Sequence, residues 1–280
     1  MQFATFGKAA QVSRVGQGSW YIERGARAQA IQAFRAGLDA GMNHIDTAEM
    51  YADGEAETLI GEAIEGRRSE VFLVSKVLPQ HASAQAVILA CENSLRRLGT
   101  DYLDAYLLHW RGSVPLEETF EAFERLCAAG KIRQWGVSNF DELDLQEAYD
   151  LVGPGRIACN QVLYHLRERA IEHAVIPWCQ AHQVSVVAYS PFGHDSFPEP
   201  GSSQGAVLQQ LASEHGCSTR QIALSFLLRQ PDLFVIPKSG QVQHVLDNAA
   251  AAQVQLSAQD LDRLEQCFAR GPKPAYLPTI

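Results

Sequence analysis

"VFLVSKVLPQHASAQAVILACENSLRRLGTDYLDAYLLHW", residues 71–110, is the stretch on which the fold turns. Its first six residues, 71–76, form an apolar, partly β-branched run of strand type. Val87, Cys91, Leu95 and Leu98 then recur at helical spacing as far as Gly99, a residue suited to stop a helix. A second apolar run, 102–110, comes next. Strand, helix and strand in a stretch this short make a crossover unit whose two strands lie parallel.

The pattern repeats in both directions. Downstream, Pro115 opens a helix striped by Leu116, Phe120, Phe123 and Cys127 and closed at Gly130. Strand-like runs follow at 132–138, 157–162, 184–190 and 233–238, and two more precede at 14–20 and 43–48. Eight such runs, recurring at intervals of about 30 residues, suit a closed (β/α)8 TIM barrel occupying residues 1–280 as one domain. A doubly wound open sheet is the alternative, but it would carry a glycine fingerprint after its first strand, and "GQGSWY" is not that fingerprint. Residues 1–12 are expected to form an N-terminal β-hairpin cap under the barrel, and 241–251 and 257–269 extra C-terminal helices.

Composition narrows the function classes. The 23 Lys and Arg against 32 Asp and Glu give a net charge of −9, which repels nucleic acid and anionic lipid. No apolar stretch reaches a membrane span, and the N-terminus lacks the pattern of a signal peptide. The six cysteines show no C-x-x-C spacing and read as reduced, mostly buried side chains of a cytoplasmic protein. His165, His173, His182, His194 and His215 have no ligand spacing with one another and read as surface or structural residues.

In a parallel barrel the reactive groups gather at the C-terminal strand ends. Here these are Asp46, Lys76, His109, Ser138, Asn139, Gln161, Tyr189 and Lys238. Tyr51 reaches in from the loop after the second strand. A phenol titrates near pH 10, and a neighbouring ammonium is expected to lower that value, with a carboxylate holding the ammonium in place. Asp46, Lys76 and Tyr51 thus read as a proton-transfer relay, and His109 as a hydrogen-bond donor to a substrate carbonyl. Trp20, Trp110 and Leu78 are expected to line a substrate pocket, packing being the plainer reading of each. The same strand ends leave other chemistries open. Lys76 could form a Schiff base as in a class I aldolase, and "HID" with His109 could ligate a metal as in a hydrolase. Neither accounts for the amide and hydroxyl groups of Ser138, Asn139 and Gln161.

"HIDTAEMY" (44–51), "VSKV" around Lys76, "LLHW" ending at Trp110, "GVSNF" (136–140), "NQV" (160–162), "YSPF" (189–192) and "IPKS" (236–239) resemble, in order and spacing, the aldo-keto reductases. Within that family the chain looks like the bacterial branch reducing methylglyoxal and other small aldehydes. The resemblance implies a small-molecule carbonyl substrate, no metal, a monomer, and Tyr51 as general acid tuned by Lys76 and Asp46. It further implies that Ser138, Asn139 and Gln161 hold the nicotinamide carboxamide and that Tyr189 stacks beneath the ring. Ser190 and Phe192 fall in a loop similar to the one folding over the pyrophosphate. Lys238 and Ser239 match a 2′-phosphate site, which implies NADPH, and Asp247 and Asn248 fit the adenine positions. Where many NADP-preferring members carry an arginine this chain has His244, which implies weaker discrimination against NADH. Some proteins of this resemblance bind NADP(H) as sensors with little turnover.

Overall fold

The computed structural model describes residues 1–280, the side chain of Ala10 excepted. An antiparallel hairpin, β1 (Phe3–Phe6) and β2 (Ala9–Ser13), precedes eight parallel strands. These are β3 (Gln17–Gly18), β4 (His44–Asp46), β5 (Phe72–Val77), β6 (Ala105–Leu108), β7 (Trp135–Ser138), β8 (Ile157–Leu163), β9 (Ser185–Tyr189) and β10 (Leu233–Val235). Each pairs with its sequence neighbour, and all eight expected runs contain one.

The edges of the sheet meet. Gly16 and Gly18 donate to the carbonyls of Val235 and Pro237 at 2.8 and 3.1 Å, and Val235 donates back to Arg14 at 2.8 Å, closing the barrel. A Cβ on Gly18 would lie 2.7 Å from the Ile236 carbonyl oxygen, so the seam needs glycine there. Pro237 has no N–H to give, so the regular ladder of β10 stops at Val235, short of the expected Lys238, although Ile236 still donates to Ala188 and Lys238 still bridges Gly18.

Helices α1 (Arg27–Asp39), α2 (Glu55–Ile64), α3 (Ala84–Leu98), α4 (Leu116–Ala128), α5 (Glu142–Val152) and α6 (Val175–Ala181) link successive strands. Two helices, α7 (Ser203–His215) and α8 (Thr219–Leu227), lie between β9 and β10. Beyond the last strand, α9 (Val242–Ala250) closes the ring by packing on α1, and α10 (Ala258–Cys267) packs on α7. The additions to the barrel are therefore α7 and α10. Among the described residues no helix is long and apolar enough to cross a membrane.

The alternation of strand side chains sets the chemistry of the interior. On β5, Phe72 and Val74 point inward and Lys76 follows on the same face; on β6, Ala105 and Leu107 are followed by His109; on β4, His44 is followed by Asp46. The bottom of the barrel is a packed apolar plug including Phe6 of the hairpin, Phe72, Leu107, Cys159, Val187 and Phe234. Polar groups begin one layer above it.

His44 sits inside the plug, fully buried, with Phe6, Phe72 and Phe234 around it at ring separations of 5.6, 5.6 and 6.0 Å. Among the described residues neither ring nitrogen finds a partner, and burial, with Lys76 adding to it, pushes its pKa down to about 3. The unfolded chain therefore binds a proton at this site from pH 6.5 downward while the fold refuses it. Stability from this residue is complete above pH 6.5 and is lost as pH falls toward 3, at about 1.4 kcal/mol per pH unit. Chemical denaturation across that range should show a flatter acid limb in His44→Leu; an unchanged slope would place the titration elsewhere.

Candidate active site

At the top of the barrel, the Lys76 ammonium makes three bonds. It donates to Asp46 Oδ1 at 2.6 Å, to the Thr47 carbonyl at 2.8 Å and to the Tyr51 hydroxyl at 3.2 Å. Lys76 is fully buried and Asp46 almost so. Burial alone would depress the ammonium, but Asp46 and Tyr51 outweigh it and hold its pKa above the ordinary value. The other Asp46 oxygen accepts from Gln161 Nε2 at 2.7 Å, so β4, β5 and β8 are tied together beneath the site. Tyr51 opens a short helical turn whose next residues, Ala52 and Asp53, take left-handed φ of 49° and 51°. Beside that curl the phenol reaches down to the Lys76 ammonium.

The expected direction of the Tyr51 shift is reversed. Burial raises the phenol pKa, and the opposing pull of Lys76 does not overcome it. Sequence spacing revealed the ammonium but not the desolvation, which depends on how deeply the loop folds in. Tyr51 is thus a protonated phenol throughout neutrality.

His109 stands edge-on to Tyr51, ring centroids 5.8 Å apart. Burial, with Lys76 adding to it, holds its pKa well below the ordinary value, so the imidazole is neutral. Nδ1 is buried and, among the described residues, without a partner. An orphaned lone pair costs less than an orphaned N–H, which puts the proton on Nε2, facing the cavity.

Ser138, Asn139, Gln161 and Tyr189 form a chain of contacts along the next strand ends. Ser138 Oγ donates to the Gln161 carbonyl at 2.8 Å, Asn139 Nδ2 to the His109 carbonyl at 3.1 Å, and Tyr189 OH to Asn139 Oδ1 at 2.9 Å. Asn139 and Ser190 take left-handed φ of 59° and 47° directly after β7 and β9. Such backbone strain at non-glycine residues concentrates where a side chain must be aimed.

These residues line a cavity of about 350 Å³ with Asp46, Tyr51, His109, Trp20, Trp110 and Phe192 on its walls. A second cavity of about 330 Å³ shares Phe192 and Lys238 with the first and continues to Ser239, His244 and Asn248. Every residue singled out for the site except Leu78 lines one of the two or, as Lys76 does, underlies it. The chain leaves the sheet after Val77, and the Leu78 N–H turns to Glu49 Oε1 at 2.8 Å, so Leu78 does not reach the pocket.

The walls also include residues that the motifs do not mark, three of which bear on the site. His194, read as surface or structural, lines the first cavity and packs on Trp20 at 5.4 Å across its mouth. Tyr21, stacked on Trp20 at 4.5 Å, and Arg220, on the second cavity, were not singled out. No local motif marks any of them.

Two alternative chemistries meet obstacles here. A Schiff-base lysine must present a free amine, whereas all three Lys76 donors are engaged. His44 of "HID" points into the apolar plug, away from His109, and among the described residues no three His, Cys, Asp or Glu side chains converge.

A paired-lobe cavity with a polar floor at one end and Lys238, Ser239 and His244 at the other fits a long ligand that is anionic at its far end. Comparison with known proteins agrees with this layout. The model of the aldo/keto reductase family matches residues 14–269. The methylglyoxal reductase YeaE of Escherichia coli is 49% identical over 256 residues, covering 91% of this chain and 90% of that one. The glyoxal reductase of Bacillus subtilis is 32% identical over 89% of this chain and 87% of its own. An aldo/keto reductase from Klebsiella pneumoniae, crystallised with NADP and acetate, superposes with a TM-score of 0.94 at 46% identity, with 99% of both chains covered.

Proposed function

The chain belongs to the aldo/keto reductase family, and from that premise we propose that it reduces small aldehydes and ketones to alcohols with NADPH, methylglyoxal and related 2-oxo-aldehydes foremost. One observation carries the proposal: the buried Lys76 ammonium, fixed by Asp46 and Thr47, touches the hydroxyl of Tyr51 on the cavity wall.

NADPH supplies the hydride when it is bound. Ser138, Asn139 and Gln161 would hold its carboxamide, Tyr189 its ring, the loop carrying Ser190 and Phe192 would fold over its pyrophosphate, and Lys238, Ser239 and Asn248 would hold its adenosine phosphate end. His109 Nε2–H orients the substrate carbonyl, and Tyr51 gives that oxygen its proton. The charge left on Tyr51 then appears 3.2 Å from an ammonium. At an effective dielectric of about 20, that attraction is on the order of 5 kcal/mol. Lys76 therefore acts on the phenolate that forms, while burial keeps the phenol protonated until it is needed. Trp20, Trp110 and Phe192 supply an apolar collar, which suits a small carbonyl better than a hydroxyl-rich sugar. All six cysteines are free, in keeping with a reducing cytoplasm.

Because the Tyr51 phenol is held above its ordinary value of 10.0, its acid form persists through neutrality. Carbonyl reduction should be flat in kcat/KM from about pH 6 to 9 and fall only above about pH 10, while alcohol oxidation rises with pH. A reduction profile falling with a midpoint near 7 would assign the proton to a different group. The direct test is a panel of carbonyls followed by loss of NADPH absorbance. Methylglyoxal should be turned over faster than aldoses. Tight NADPH binding without turnover of any member would favour a sensor instead.

A further inference from the structure

We propose that Arg220 contacts the 2′-phosphate of NADPH and sets the preference over NADH, an inference that rests on the NADPH reading above. Arg220 stands in the first turn of α8, on an element that none of the recognised motifs includes. Barrel closure brings it to the second cavity, where Lys238, Ser239 and His244 also line the wall. Its guanidinium, on an exposed side chain, lies over the rings of Phe192 and Phe197, 5.6 and 5.2 Å from their centroids, a contact that leaves its donors unused.

The charges nearby leave it free to act. Two carboxylates share the cavity. Asp247 accepts from Ser218 Oγ at 2.7 Å, and Asp195 lies 3.5 Å from His194. Among the described residues Arg220 forms no ion pair, whereas many other arginines here are spent on carboxylates, Arg27, Arg67, Arg111, Arg169 and Arg263 among them. An unspent guanidinium in a chain of net charge −9, lining the same cavity as an unspent lysine, is suited to a dianion. His244 is a poorer candidate for the second cation, since imidazole has at most two donors against the five of a guanidinium.

The test is binding to the full-length protein, read by calorimetry with NADPH, NADH, adenosine 2′-phosphate and adenosine 5′-phosphate. Arg220→Gln should raise Kd for NADPH and for adenosine 2′-phosphate about tenfold or more, with NADH moving less than twofold. Equal weakening of NADPH and NADH would mean that Arg220 only braces the Phe192 loop, and no change in a protein that prefers NADPH would put the phosphate elsewhere; either overturns the assignment. A wild type that does not prefer NADPH would sink the parent reading as well, a result distinct from both. Adding His244→Arg supplies a guanidinium from another element lining the same cavity. It should increase NADPH preference more in the Arg220→Gln protein than in the wild type, because the two groups then share one phosphate. Equal gains in both backgrounds would show independent sites and overturn the proposal.

Discussion

Tyr51→Phe should bind NADPH as the wild type does and lose turnover by a factor on the order of 10²–10⁴, the usual worth of a positioned acid. The substitution removes one oxygen from a ring that is 9% exposed and packed edge-on to His109, so the wall keeps its shape. What disappears is the single protonated group that touches both Lys76 and the cavity. Cofactor titration by fluorescence and single-turnover reduction of methylglyoxal check the two halves of the expectation separately. Wild-type turnover would remove Tyr51 from the reaction, and lost NADPH binding would show that the hydroxyl does structural work.

Lys76→Met should be worse on both counts. It strands the Asp46 carboxylate, 1% exposed, with only the Gln161 amide for company, and breaking such a buried pair from one side costs about 3–5 kcal/mol. It also takes away the charge that receives the Tyr51 phenolate, so turnover should drop at least as far as in Tyr51→Phe. The double variant Asp46→Asn/Lys76→Met separates the effects. With neither charge left in the interior, the midpoint of urea unfolding should return most of the way to wild type, while activity stays lost. A double variant that recovers turnover would mean the pair serves only the fold.

The barrel and most of the site were readable because strand alternation and strand ends are local features. "LVSK" and "YLLH" each place an inward apolar residue two positions before the group that does the chemistry, and the structure keeps that register. Asp46, Lys76 and His109 converge for this reason. Leu78 falls outside the pocket because β5 ends at Val77 and the chain leaves the sheet there. The sign of the Tyr51 shift needed the depth of the loop, a property of packing and not of spacing. Arg220 lies on a helix outside every motif, so only closure of the fold reveals it; His194 stands two residues past "YSPF", and only the folding of that loop against Trp20 shows its place on the wall.

The sheet carries Asp46, Lys76, Ser138, Gln161 and Tyr189, with His109 and Tyr51 held directly above it, whereas Trp20, Trp110, Phe192 and His194 stand on three separate loops. The two sets answer to different constraints. Insertions and replacements along the rim can redraw which molecules are admitted while the machinery below is inherited intact, so a lineage built on this frame is free to diversify its diet without reinventing its chemistry.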